Sequence, residues 1–172
     1  MVAQRAREAA VSGIRRMFDA GPPDSVNLGL GEPDFQPPPA TLDAMCEAVQ
    51  NGANHYGPTA GLAPLRERVA ETYRDLKPDT SIENVIVTCG ASEGLMACAL
   101  ALYDPGDEVL VPDPGFVLYG PQARLVGARP VPYALEERNG FLPDLDALEA
   151  QVTVRTRAIV VNSPSKIGRA HV

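Results

Sequence analysis

From residue 84 to residue 161, short aliphatic runs alternate with stretches of helical periodicity, and this alternation constrains the fold most. Residues 84–88, 108–111, 129–134 and 158–161 read as strands. Most are unbroken runs of Val, Ile and Leu rather than the in–out alternation of a sheet with one wet face. Residues 92–103, 117–126 and 145–152 between them read as helices. Strands apolar on both faces and separated by helices require a parallel sheet covered on either side, so the predicted class is α/β.

The first third of the chain is organised differently. In residues 3–20 the apolar Ala10, Ile14, Met17 and Phe18 recur at helical spacing, and Gly21-Pro22-Pro23 ends that helix. A short apolar run at 26–30 leads through Gly31-Glu32-Pro33-Asp34-Phe35 into a proline-rich extended connector at 37–39. Leu42, Met45, Cys46 and Val49 mark a second helix, stopped by Asn51-Gly52. After a turn-rich stretch at 54–61, Leu62, Leu65, Val69, Tyr73 and Leu76 share one face of a third, ended at Lys77-Pro78. The N-terminal helix is therefore expected as an arm outside the sheet.

With 172 residues, 45% of them hydrophobic, the chain can bury about one domain's core. Only 5% are aromatic and Trp is absent, so aliphatic side chains and Ala must build that core. A net charge of −7 is a poor match for nucleic acid or an anionic membrane, and no apolar run approaches membrane-spanning length. The polar N-terminus carries no secretory h-region, so a cytoplasmic protein is expected. Three cysteines, Cys46, Cys89 and Cys98, cannot all pair, and are expected to be small buried hydrophobes in a reducing compartment.

The ending Lys166-Ile167-Gly168-Arg169-Ala170-His171-Val172 fits nothing before it. Preceded by one A, the sequencing-adapter string AGATCGGAAGAGCACACGTCTGA translates to these seven residues and then a stop codon. The expectation is that residues 166–172 are adapter-derived and that the reading frame continues beyond Ser165.

In an open parallel sheet, ligands bind at the carboxyl ends of the strands. The first strand–helix junction, Val87-Thr88-Cys89-Gly90-Ala91-Ser92-Glu93-Gly94, offers small residues and a hydroxyl at a helix start. Free amides and the helix partial charge there favour phosphate, although a tight turn with Ser as cap reads the same way. The junction is neither a Walker A loop nor a G-x-G-x-x-G fingerprint, which argues against P-loop and dinucleotide enzymes. The second junction, Pro112-Asp113-Pro114-Gly115-Phe116, sets an aromatic at a strand end. It could stack on a flat heteroaromatic ligand or pack on the next helix. The fourth strand ends in the polar Asn162-Ser163-Pro164-Ser165.

Taken together, certain motifs resemble the class I/II aminotransferases, the fold-type-I enzymes that use pyridoxal 5′-phosphate (PLP). They are Gly31-Glu32-Pro33-Asp34-Phe35, His55-Tyr56-Gly57-Pro58-Thr59-Ala60-Gly61 with Leu65-Arg66, and Thr88 through Gly94. Asp104-Pro105-Gly106-Asp107, Pro114-Gly115-Phe116 and Asn162-Ser163-Pro164 complete the set. Order and spacing match from about Ser12 to Ser165 but cover less than half of a family member, and the arm is similar to the aspartate aminotransferase subgroup. The resemblance implies an arm or small-domain segment at 1–30 and part of a PLP-binding large domain at 31–165.

It also implies roles. Gly90, Ala91 and Ser92 would hold the PLP phosphate and Phe116 would stack on the pyridine ring. Tyr56 would reach the phosphate of a neighbouring subunit, which requires a homodimer, and Gly31 would offer its amide to the substrate α-carboxylate. Glu32 and Asp34 would shape the loop. The implied reaction moves an amino group between an L-amino acid and a 2-oxo acid.

The family's Asn-Pro-Thr-Gly after the fourth strand is replaced here by Lys166-Ile167-Gly168-Arg169. The downstream Asp, Schiff-base Lys and substrate Arg have no counterpart, so this length of chain is expected to be inactive. Ser163-Pro164-Ser165-Lys166 imitates the family's S-x-S-K motif, but it follows the wrong strand for that lysine. In the family, the strand at 84–88 pairs with one from late in the sequence, so here it is expected to lose a neighbour and expose apolar surface. The alternatives are a PLP-dependent lyase or synthase of the same fold, and a non-catalytic effector-sensing domain.

Overall fold

Glu108, Val109, Leu110, Val111 and Pro112 are buried one after another, as the centre of a sheet covered on both faces demands. In the computed structural model, which describes residues 2–7, 20–22, 26, 33 and 35–165, they belong to strand β1 (Glu108–Asp113). Strands β2 (Arg129–Ala134) and β3 (Thr156–Ile159) flank it, both parallel to it, in the order β2-β1-β3. Glu108 stands in register with Arg129 on one side and Thr156 on the other. The helices in chain order are α1 (Gln4–Arg7), α2 (Pro39–Gln50), α3 (Ala63–Tyr73), α4 (Gly90–Leu102), α5 (Tyr119–Leu125) and α6 (Leu145–Glu149). The α/β class with a parallel sheet is as expected.

The chain divides into two units. One comprises Met1–Glu32 with Leu95–Val172, the other Pro33–Gly94, and the boundary falls inside α4. The first holds the sheet. Its core is Val109, Val111, Ala123 and Ala128, with Tyr103, Tyr119, Val126, Ala158 and Val160 packed against them. The sparse aromatics thus supply the rim of an aliphatic core. The second holds α2, α3, a 3-10 turn (Ile82–Asn84) and the first turn of α4. Pro39 is the first helical residue of α2, where a missing N–H costs nothing. Asp144 caps α6 by accepting from the Ala147 amide at 3.1 Å.

Several expectations need correction. Residues 84–88 form no strand: Val85 is extended (φ −120°, ψ 125°), but no described strand pairs with the segment, and Ile86 is 70% exposed. β-propensity without a neighbour yields an extended segment and not a ladder. The final helix is shorter than the periodicity suggests, Leu145–Glu149 and not 145–152, with Ala150 as its C-cap. The fourth expected strand is shifted towards the N-terminus, to Thr156–Ile159.

All three cysteines are free but exposed, not buried. α2 buries none of its residues, so Cys46 has nothing to pack under. Cys98 is exposed although the next residue, Ala99, is the buried one of α4, and Cys89 is in the loop before that helix. Of the expected arm helix at 3–20, the described residues include the turn Gln4–Arg7; residues 8–19 lie outside them. No described helix is long and apolar enough to cross a membrane.

Candidate functional site

The junction before α4 is built by a sequence of local backbone ties. Ser81 and Asn84 cap the 3-10 turn, the Ser81 amide donating to Asn84 Oδ1 at 2.9 Å. The chain then runs extended through Val85, and the Val87 amide donates to the Ala60 carbonyl at 2.9 Å. At the turn, the Gly90 amide donates to Thr88 O at 2.8 Å and Thr88 Oγ1 donates to Gly90 O at 3.0 Å. Gly90 has φ +77°, a conformation that side chains resist, which is why a glycine opens this helix.

Gly90, Ala91 and Ser92 are exposed on the first turn of α4, a helix of 13 residues. First-turn amides have no carbonyl four residues back to bond, and the helix dipole gathers partial positive charge there. The arrangement can hold an anion through backbone donors. Glu93, also in the first turn, folds back so that its carboxylate accepts from the Cys89 amide. Its negative charge beside these amides was missed in the sequence reading; an acidic residue in a helix's first turn was the available signal.

The remaining predicted residues are distributed as follows. Tyr56 belongs to the same unit, in the turn-rich stretch before α3, with its side chain fully exposed. Phe116 belongs to the sheet-bearing unit, half-buried after β1, with its ring edge-on to Tyr119 at 5.6 Å between centroids and 79° between planes. It therefore has an intramolecular aromatic partner at the start of α5. Gly31 and Lys166 lie outside the described residues.

The parallel strands put their carboxyl ends on one side of the sheet. β1 ends in Pro112-Asp113 and leads into Pro114-Gly115, with a cis bond before Pro114. After β3 comes Asn162-Ser163-Pro164, where Asn162 Nδ2 donates to Pro164 O at 3.3 Å. Gly115 sits where an added Cβ would be 2.2 Å from the Pro112 carbonyl oxygen. Among the described residues, no group of His, Cys, Asp and Glu could hold a metal ion.

The family model for aminotransferase class I and II matches residues 23–166. The chain is 41% identical over 167 residues to an aspartate aminotransferase of Pyrococcus horikoshii, covering 95% of this chain and 43% of that protein. It is 42% identical over 146 residues to a probable N-succinyldiaminopimelate aminotransferase of Mycobacterium tuberculosis, covering 81% and 36% respectively. Among solved structures, aspartate aminotransferase from Thermus thermophilus with maleate superimposes with a TM-score of 0.86 at 33% identity, covering 96% of this chain and 45% of that one. The chain thus spans less than half the length of the relatives it matches. With its parallel α/β sheet, its glycine-opened helix and a family match over most of its length, the chain belongs to the class I and II aminotransferases, whose members use pyridoxal 5′-phosphate.

Proposed function

We propose that this chain is part of an enzyme that moves an amino group between an L-amino acid and a 2-oxo acid, and that its share of the work is to hold and orient PLP. The observation that carries this reading is the exposed Gly90-Ala91-Ser92 turn opening α4, within the region that matches the family. The residues fit a phosphate. They are small and exposed, and an added Cβ at Gly90 would meet nothing within 4 Å, so the approach is clear.

In this reading Gly90, Ala91 and Ser92 hold the phosphate by backbone and hydroxyl donors, and the α4 dipole favours its charge. Phe116 presents a ring face to the pyridine, and its T-shaped contact with Tyr119 helps hold the ring in place. Tyr56, fully exposed, reaches out to the phosphate of a second subunit, so the working form is a homodimer. Gly31 gives its amide to the substrate α-carboxylate. When bound, PLP supplies the electron sink for the reacting carbon; the protein supplies position and electrostatics.

The residues of this chain do not provide the proton-moving amine. Its two lysines are Lys77, just after α3, and Lys166, which follows β3. Neither matches the position of the family's lysine, so the 172-residue chain by itself is inferred to bind PLP without transaminating.

Titrating the chain with PLP and with phosphate-free pyridoxal tests the reading. Saturable binding of PLP, weaker by about tenfold for pyridoxal and weakened severalfold by Ser92→Ala, is expected. Equal affinity for the two vitamers overturns it, as does turnover of an amino acid by the 172-residue chain for the inferred inactivity. Sequencing the source DNA past codon 165 tests the adapter-derived tail: a frame continuing into Asn-Pro-Thr-Gly supports it, and a genuine stop after Val172 sinks it.

A further inference from the structure

The segment 85–89 that delivers the phosphate turn has no strand ladder among the described residues, so its order must come from elsewhere. Arg66, half-buried on α3, supplies it. Its Nε donates to the carbonyl of Val85 at 2.8 Å and its Nη2 to the carbonyl of Ile82 at 2.7 Å. One planar guanidinium thereby spans the 3-10 turn and the first residue of the extended segment. A second tie lies two residues on, where Val87 N–H meets Ala60 O at 2.9 Å. That approach needs Gly61: at φ +99°, an added Cβ would stand 2.6 Å from Cβ and Cγ2 of Val87.

We propose that Arg66 is a positioning residue for the cofactor phosphate: by clamping the Ile82 and Val85 carbonyls it fixes the chain that aims the Gly90–Ser92 amides. This rests on the phosphate reading of that turn. Arg66 touches no ligand; it acts through the backbone it holds. The fork geometry matters, because a lysine ammonium is a point donor that does not span two carbonyls set by a planar pair of N–H groups. Arg68, on the same helix, serves as the internal contrast. It is exposed and pairs with Glu71 at 2.9 Å, within its own helix.

The 172-residue chain is prepared as wild type, Arg66→Lys, Arg66→Gln, Gly61→Ala and Arg68→Gln. Each is titrated with PLP and with pyridoxal, and amide hydrogen exchange is followed over residues 85–92. Arg66→Lys is expected to keep the wild-type circular dichroism, to lose PLP affinity by roughly tenfold while pyridoxal affinity stays put, and to exchange faster over 85–92. Gly61→Ala should move the same two readouts by loosening the second tie, and Arg68→Gln should move neither. Selective loss for PLP separates a phosphate-aiming role from general loosening, which would weaken both ligands alike.

Unchanged exchange over 85–92 in Arg66→Lys, or a PLP affinity equal to wild type, overturns the assignment. If Arg66→Lys fails to fold, Arg66→Gln, which can still donate to one carbonyl, is read against the same criteria. A wild-type chain that does not distinguish PLP from pyridoxal instead sinks the phosphate reading, and the exchange data still decide whether Arg66 orders the segment.

Discussion

Arg129 Nη2 lies 2.6 Å from Oε1 of Glu108, joining β2 to the first residue of the central strand through a carboxylate that is itself buried. Arg155 Nε, 2.8 Å away, donates to the same oxygen just ahead of β3, and Thr153 Oγ1 donates to the other oxygen at 2.8 Å. One acidic residue thus gathers the amino ends of all three strands. The arginines shield it while their own side chains face solvent, 60% and 64% exposed.

The same donors govern its titration. The hydrogen bond from Arg129, with that from Thr153 and then Arg155, outweighs burial and lowers the Glu108 pKa from 4.5 to about 2. Between those values the unfolded chain binds a proton that the folded chain does not. The stabilisation is therefore complete above pH 4.5 and lost as pH falls towards 2. The stability gap between wild type and Glu108→Gln should be widest near neutrality and should close over that interval in urea unfolding. A gap independent of pH would contradict the assignment.

At the other end of the strands, Tyr133 performs the complementary task. Its hydroxyl reaches from β2 past β1 to donate to the carbonyl of Val160, just beyond β3, at 2.7 Å. The residue is 5% exposed, so Tyr133→Phe leaves a part-buried carbonyl without its donor. A loss of about 1–2 kcal/mol is expected in urea unfolding. A change within error of zero would mean that water takes the hydroxyl's place.

The sheet was legible in the sequence because its signal is local. The aliphatic run of β1 and the bounded run of β2 carry their own periodicity, and the predicted 129–134 coincides with Arg129–Ala134. Features set by distant partners were not legible. The segment 84–88 has strand composition, but a strand needs a neighbour, and composition does not supply one. Arg66 was visible within a motif, yet its role depends on carbonyls 16 and 19 residues away. Glu108 stands in the sequence only as the first residue of the predicted strand at 108–111, and its partners Arg129 and Arg155 are 21 and 47 residues away. The phosphate turn was readable as small residues before a helix, whereas the fold-back of Glu93 onto the Cys89 amide was not.

The cysteines offer a direct chemical check on exposure. Cys46, Cys89 and Cys98 are all free and exposed, where composition alone suggested buried thiols. The native chain should therefore release three equivalents with Ellman's reagent without denaturant, at rates within about an order of magnitude of a free thiol. One or more thiols reacting only after denaturation would mean that a packed surface covers them in solution.

Glu93 sets the charge beside the proposed phosphate turn. Its carboxylate accepts from the Cys89 amide, so it occupies one donor at the positive end of α4 while adding a negative charge there. Glutamine keeps an oxygen to accept that hydrogen bond and removes the charge. Glu93→Gln should then bind PLP about two- to fivefold more tightly, the range expected for one charge at a helix terminus, and leave pyridoxal affinity unchanged. The gain should shrink as salt is raised, because the interaction crosses solvent-exposed surface. Isothermal titration of both ligands at low and high ionic strength makes the measurement. If Glu93→Gln weakens PLP binding instead, the carboxylate's main service is to shape the turn, and its hydrogen bond to Cys89 outweighs its repulsion of the phosphate.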